Sequence, residues 1–97
     1  MSKMLMVSYN EAMDQEVMEA LSACALKSYT KIAGVFGRGE ASGTHLGDDI
    51  WPGKNNLLFV AGGEAEIGKF LSGVRELRKR LGKEGIKAFV WKLEEAT

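Results

Sequence analysis

The chain has 97 residues, which is room for one domain, spanning 1–97, with one hydrophobic core. A composition of 45% hydrophobic and 27% charged residues, with 12 Gly and 1 Pro, argues against disordered, collagen-like and coiled-coil chains. The 13 basic and 13 acidic residues cancel, so no net positive charge attracts nucleic acid or an anionic membrane. One cysteine and the lack of a long apolar run predict a cytoplasmic protein that is not embedded in a membrane.

The first half of the chain predicts a strand, a helix and a second strand. The apolar run at 4–9 predicts the first strand. Asn10 is a suitable N-cap for an amphipathic helix whose apolar face continues to Cys24. The β-branched and aromatic residues of 29–36 predict the second strand, and Gly34 within it indicates a bulge or a close backbone approach.

The second half predicts a strand, a helix and a last strand. Residues 56–61 are apolar at consecutive positions and predict a strand that Gly62 and Gly63 break. The 3.6-residue period of 67–81 predicts a helix, and Gly82 is a suitable stop. Residues 86–93 predict the fourth strand. The order βαββαβ predicts an α+β, ferredoxin-like fold, in which a four-stranded antiparallel sheet carries both helices on one face.

This topology leaves one face of the sheet without helices. The segments that it places at the centre of the sheet, 4–7 and 57–60, are apolar at consecutive positions and therefore on both faces. A monomer would expose a contiguous apolar patch there. We expect other subunits to cover it.

The connection between the second and third strands is the unusual feature of the sequence. Residues 37–54 are far longer than the two to five residues of an ordinary hairpin loop, and long loops without structure are often functional. The sequence predicts a recognition loop at 38–54, with a plain connector as the alternative. The candidate residues for binding a partner protein are Arg38, Glu40, His45, Asp48, Asp49 and Trp51.

Together these segments resemble the PII signalling proteins and their PII-like relatives. The resemblance is carried by Gly-Val-Phe-Gly-Arg-Gly at 34–39, the long hairpin loop, the amphipathic helix and Lys-Ala-Phe-Val at 87–90, and it spans nearly the whole chain. It implies a homotrimer that binds a small anionic effector, often an adenine nucleotide, in clefts between subunits. It also implies that the hairpin loop, the T-loop of that family, docks on a transporter or an enzyme.

The resemblance and the local sequence each suggest residues for the effector site. Gly37 and Arg38 match the conserved loop base of the family, and Lys87 matches its phosphate-contacting lysine. The turn before Lys87 can offer backbone N–H groups and an ammonium group to a phosphate. The predicted ligand-binding residues are Gly37, Arg38, Gly82, Lys83, Gly85 and Lys87. The turn at 81–87 is shorter than in the family and lacks its threonine, which weakens the case for an adenine nucleotide and leaves the ligand open.

An alternative function comes from the loop itself. His45, Asp48 and Asp49 offer a nitrogen and two carboxylates, which suit a divalent cation. The alternative is therefore a metal-binding trimer similar to the CutA-type proteins, which share the architecture and a tryptophan-containing hairpin. With a single histidine and no Ser-His-Asp arrangement, the sequence does not predict an enzyme.

Overall fold

Strands and helices follow one another in the predicted order. A computed structural model describes residues 2–38, 53–82 and 85–97. The elements are β1 (Ser2–Asn10), a 3-10 turn (Glu11–Met13), α1 (Asp14–Ser22), β2 (Thr30–Val35), β3 (Asn55–Gly63), α2 (Glu64–Leu81) and β4 (Ile86–Lys92). The prediction of a βαββαβ, ferredoxin-like fold is confirmed.

The four strands form one antiparallel sheet in the order β2-β3-β1-β4. The two central strands, β1 and β3, are paired from Ser2 opposite Gly63 to Asn10 opposite Asn55. These are the strands that contain the two segments predicted to be central. The edge strands β2 and β4 each pair with a single neighbour within the described residues.

The core lies between the sheet and the two helices. Successive side chains of a strand point to opposite faces, so every second residue of β1 and β3 is buried on the helix side. The buried apolar residues of these elements are Leu5, Val7 and Tyr9 of β1, Val17 and Leu21 of α1, Leu58 and Val60 of β3, and Ile67, Phe70, Val74 and Leu77 of α2.

The opposite face, which we call the open face, exposes apolar side chains. Phe89 and Trp91 of β4 are 50% and 45% exposed, and Ile32 of β2 is 46% exposed. Met6 and Leu57 of the central strands are half-buried on the same face. This is the apolar surface that the strand patterns predict for a single subunit.

Two glycines in the sheet differ in what they do. Gly34 has φ +70° and lies where the β2–β3 register shifts, which confirms the predicted bulge. The prediction that Gly62 and Gly63 break the strand is wrong for Gly62, because β3 continues through it and ends at Gly63. A Cβ at position 62 would lie 2.7 Å from Cδ2 of Leu26, so a glycine there permits close packing instead of breaking the strand.

Candidate functional site

A cleft of about 360 Å³ lies on the open face, at the end of the sheet where β2 leads into the long hairpin and β4 begins. This volume lies at the lower end of the range typical of small-molecule sites. The residues that line the cleft are Met6, Ser8, Arg38, Asn55, Leu57, Gly85, Lys87 and Phe89.

Strand register explains why these residues meet. Ser8 of β1 lies opposite Leu57 of β3 on one side and opposite Lys87 of β4 on the other. Two residues earlier in β1, Met6 lies opposite Phe89 of β4, and side chains two residues apart share a face. Arg38 lies three residues beyond the end of β2. The cleft is therefore lined by residues of β1, β3 and β4 and by the segment that follows β2.

The side chains of the cleft combine positive charge with apolar surface. Arg38 and Lys87 are cationic, Ser8 and Asn55 supply hydrogen-bonding groups, and Phe89 is one of the apolar residues. No acidic side chain is among the described residues that line the cleft. The chemistry therefore fits an anion with an apolar portion.

The structure brings together half of the residues predicted to bind the ligand. Arg38, Gly85 and Lys87 line the cleft, although they come from two distant parts of the chain. Gly37 lies beside it, since a Cβ there would come within 2.5 Å of Nδ2 of Asn55. A side chain at position 37 would therefore displace a residue of the cleft wall.

The other predicted residues lie elsewhere. Gly82 is not part of the cleft wall; it ends α2, where its backbone has φ +110° and its N–H donates to the Arg78 carbonyl at 3.0 Å. Lys83 and the loop residues Glu40, His45, Asp48, Asp49 and Trp51 fall outside the described residues. Their suggested roles stay predictions.

The sequence alone did not single out five residues of the cleft wall. Each of them lies two residues from another residue of the cleft wall on the same strand, and residues two apart on a strand face the same side of the sheet. The five residues are Met6, Ser8, Asn55, Leu57 and Phe89. Phe89 could have been predicted from Lys87, because side chains two residues apart on a strand share a face. Ser8 and Asn55 could not, because their place in the cleft depends on how the strands are aligned with one another, and the sequence alone does not show that alignment.

A polar cluster on the helix side of the sheet lies behind the base of the hairpin. One carboxylate oxygen of Asp14, Oδ1, accepts hydrogen bonds from the Tyr9 hydroxyl at 2.6 Å and from Nζ of Lys31 at 3.1 Å. Burial raises the pKa of Tyr9, and the hydrogen bond to Asp14 raises it further. Partial burial by itself raises the pKa of Asp14, but the hydrogen bonds donated by Tyr9 and Lys31 outweigh it and hold that pKa below its usual value.

Two further features bear on the alternatives. The described part of the chain contains no group of three or more His, Cys, Asp or Glu side chains placed to hold a metal ion. The ligands of the metal alternative, His45, Asp48 and Asp49, lie outside that part, so that alternative stays a prediction.

None of the helices among the described residues is long and apolar enough to cross a membrane.

Comparison with known proteins gives matches at the level of structure alone. No family model and no curated protein matches the sequence. A PII-like signalling protein of Thermus thermophilus superposes with a TM-score of 0.68 at 18% identity, over 93% of this chain and 83% of that one. CPII of Thiomonas intermedia, a nitrogen regulatory PII-like protein, bound to ADP and bicarbonate, superposes with a TM-score of 0.71 at 21% identity, over 93% and 83% of the two chains. The same protein bound to ADP, AMP and bicarbonate gives 0.72 at 18% identity, again over 93% and 83%.

These likenesses extend over nearly all of the described strands and helices, and their sequence identities are low. They therefore establish an architecture and leave the ligand and the partner to be argued from this chain's own residues. The strand order and the two helices on one face of the sheet belong to that architecture. This chain has the fold of the PII-like signalling proteins.

Proposed function

We propose that this protein is a PII-like regulator that binds a small anionic effector in the cleft and signals to a partner protein through the 38–54 loop. The observation that carries the proposal is the meeting of Arg38 and Lys87 in one cleft at the base of that loop. Because Arg38 lies at the start of the loop, an effector that contacts it also touches the segment that would carry the signal.

The charge of the cleft favours an anion. Hydrogen bonds between a cationic side chain and an anion are about twice as strong as neutral ones, and an arginine can hold two oxygens at once. Ser8 and Asn55 add neutral hydrogen-bonding groups to the same wall. Two cations without a described acidic neighbour suit a phosphate, a carboxylate or bicarbonate.

An adenine nucleotide is the first effector to test. The apolar residues Met6, Leu57 and Phe89 offer a surface for a planar base next to the two cations. CPII, which has the same fold, is described bound to ADP and bicarbonate, and in another structure to ADP, AMP and bicarbonate. We therefore take ADP, AMP and bicarbonate as the probes.

We also propose that three copies of the chain assemble. The open face exposes Phe89 and Trp91 about halfway, and a larger buried apolar area would stabilise so short a chain. The cleft lies on this same face, so a neighbouring subunit packed there would supply further walls to it. A trimer is the assembly that the resemblance to the PII family implies.

The test is calorimetric titration of the purified protein with each probe. Wild type should bind at least one of them, and Arg38→Ala and Lys87→Ala should each weaken binding at least about tenfold, since one hydrogen bond to a charged group contributes about 1.5–3 kcal/mol. Arg80→Ala and Lys92→Ala are matched controls, because these exposed cations lie outside the cleft. The site assignment fails if the cleft variants keep wild-type affinity.

A further inference from the structure

The start of the first helix holds both arms of the long hairpin. The arm that leaves β2 is held at Gly34, whose N–H donates to Oδ1 of Asn56 at 3.3 Å. Nδ2 of the same Asn56 donates to Oδ1 of Asp14 at 3.3 Å. Asn56 is 6% exposed, so its amide depends on these protein partners instead of water.

The bulge explains why the Gly34 N–H needs a side-chain partner. The β2–β3 register shifts between Ile32 and Val35, and a residue at such a shift leaves the regular ladder of hydrogen bonds. Asn56 takes the place of the missing ladder acceptor. Asp14 in turn fixes the amide of Asn56, because a carboxylate can only accept and so selects the orientation in which Nδ2 points at it.

The arm that returns to β3 is held by the residue at the start of the 3-10 turn. The Glu11 N–H donates to the Lys54 carbonyl at 3.0 Å. Across the hairpin, Nζ of Lys54 lies 5.3 Å from the ring centre of Phe36, a distance at which a cation and an aromatic face attract. We call Glu11, Asp14 and Asn56 the loop-base clamp.

The clamp lies directly behind the cleft. Asn56 follows Asn55, which lines the cleft, and Gly34 precedes Arg38 by four residues. Tyr9, which donates to Asp14, follows Ser8 of the cleft wall. Because successive residues of a strand face opposite sides, the clamp and the cleft share the same backbone segments on the two faces of the sheet.

From this geometry we infer that Asp14 is a positioning residue for the effector site, acting through Asn56 and the bulge at Gly34 on the placement of Arg38. The inference rests on the proposed function and deepens it. Without the carboxylate, Nδ2 of Asn56 loses its acceptor on Asp14, so the amide that receives the Gly34 N–H is held less firmly and the arm that carries Arg38 is less well fixed. The guanidinium then spends less time in the cleft, and the effector binds more weakly.

The first test is a double-mutant cycle between Asp14 and Arg38, read by titration with ADP, AMP and bicarbonate. In the wild-type background, Asp14→Asn and Asn56→Ala should each weaken binding about fivefold or more, within the range of measured couplings between linked residues. In the Arg38→Ala background the same changes should have little further effect. Equal weakening in both backgrounds would overturn the inference.

A control separates positioning from loss of stability. Val17 is fully buried in the same helix and is not one of the clamp residues. Val17→Ala should lower the melting temperature while leaving the affinity of the folded protein unchanged. If it weakens binding as much as Asp14→Asn does, Asp14 acts through stability alone and the inference fails.

The second test needs no effector. In ligand-free protein, Asp14→Asn should speed hydrogen exchange at Gly34 and in the following residues to 38, with no change in the β1–β3 ladder. If wild type binds none of the probes, the proposed function fails, and this exchange measurement decides the clamp alone. Faster exchange at Gly34 supports it, and unchanged exchange contradicts it.

Discussion

At the scale of single residues, Asp14 links the stability of the protein to pH. Its pKa is held below the usual value in the folded protein, so the folded state binds this proton less readily than the unfolded state does. Its contribution to stability is therefore present above the unfolded pKa of about 3.9 and is lost as the pH falls through the lower folded pKa.

We expect Asp14→Asn to be less stable than wild type by about 1 kcal/mol at pH 7, since the side chain is 36% exposed and solvent weakens its ion pair with Lys31. Below about pH 4 the difference in stability should begin to shrink, and the two proteins should converge once the pH lies below the lowered pKa of Asp14. Urea unfolding of both proteins at pH 7, 5, 4 and 3 measures the difference in stability at neutral pH and its decrease at low pH. A difference in unfolding free energy that stays constant or grows toward low pH would contradict a lowered pKa of Asp14 in the folded protein.

Gly82 is required by the backbone. It ends α2 at φ +110° and ψ 146°, a region that only glycine occupies readily. Gly82→Ala should therefore destabilise the protein by about 1–3 kcal/mol. Gly68 is a suitable control, because it lies within α2 and a Cβ there would have no atom within 4 Å, so Gly68→Ala should stabilise by about 1 kcal/mol.

Both glycine variants are measured by urea unfolding at one fixed protomer concentration, because assembly would change the apparent stability. Opposite signs are expected for the two substitutions. If Gly82→Ala is as stable as wild type, the end of α2 has relaxed to another conformation.

At the scale of elements, the sequence predicted what depends on local pattern. The strand and helix types and their order follow from side-chain periodicity. Asn10 is a cap as predicted, since its Oδ1 accepts from the Ala12 N–H at 2.9 Å, but it caps the 3-10 turn that precedes α1 and not α1 itself. What could not be predicted depends on contacts between elements. Gly62 lies in β3 opposite Lys3, against Leu26, and neither neighbour is evident from the sequence around it.

The candidate site divides in the same way. Arg38 and Lys87 were predicted because they occur in segments that resemble the PII family. Ser8 and Asn55 were not, because each is an ordinary strand residue until the register places it beside the cations. The register is set by the packing of the whole sheet, so no short motif contains it.

Edge strand β2 is the element in which we expect the proposed assembly to change hydrogen exchange most. Among the strands that the structure describes, it pairs with β3 alone, and its residues are exposed except for the half-buried Val35. In an isolated subunit, β2 should exchange its amide hydrogens much faster than the central strands β1 and β3. Hydrogen exchange followed by mass spectrometry at several protein concentrations measures this. If the amide hydrogens of β2 exchange slowly at high protein concentration and faster when the protein is diluted, another chain covers the edge of β2.

At the scale of the whole molecule, the proposed assembly and the proposed effector site share the open face. The side chains that the helices leave uncovered include Trp91, which is 45% exposed and does not line the cleft. A charge placed there should therefore prevent packing between subunits without touching the two cations. We expect Trp91→Glu to change the mass measured by light scattering from that of three protomers to that of one.

Lys92→Glu is the matched control, because it adds the same side chain one residue later, where the strand faces the other side of the sheet. It should remain assembled. If the cleft needs walls from a neighbouring subunit, Trp91→Glu should also lose affinity for the effector, although Arg38 and Lys87 are intact. A folded Trp91→Glu monomer that binds as wild type does would place the whole effector site within one chain, and the open face would then serve assembly alone.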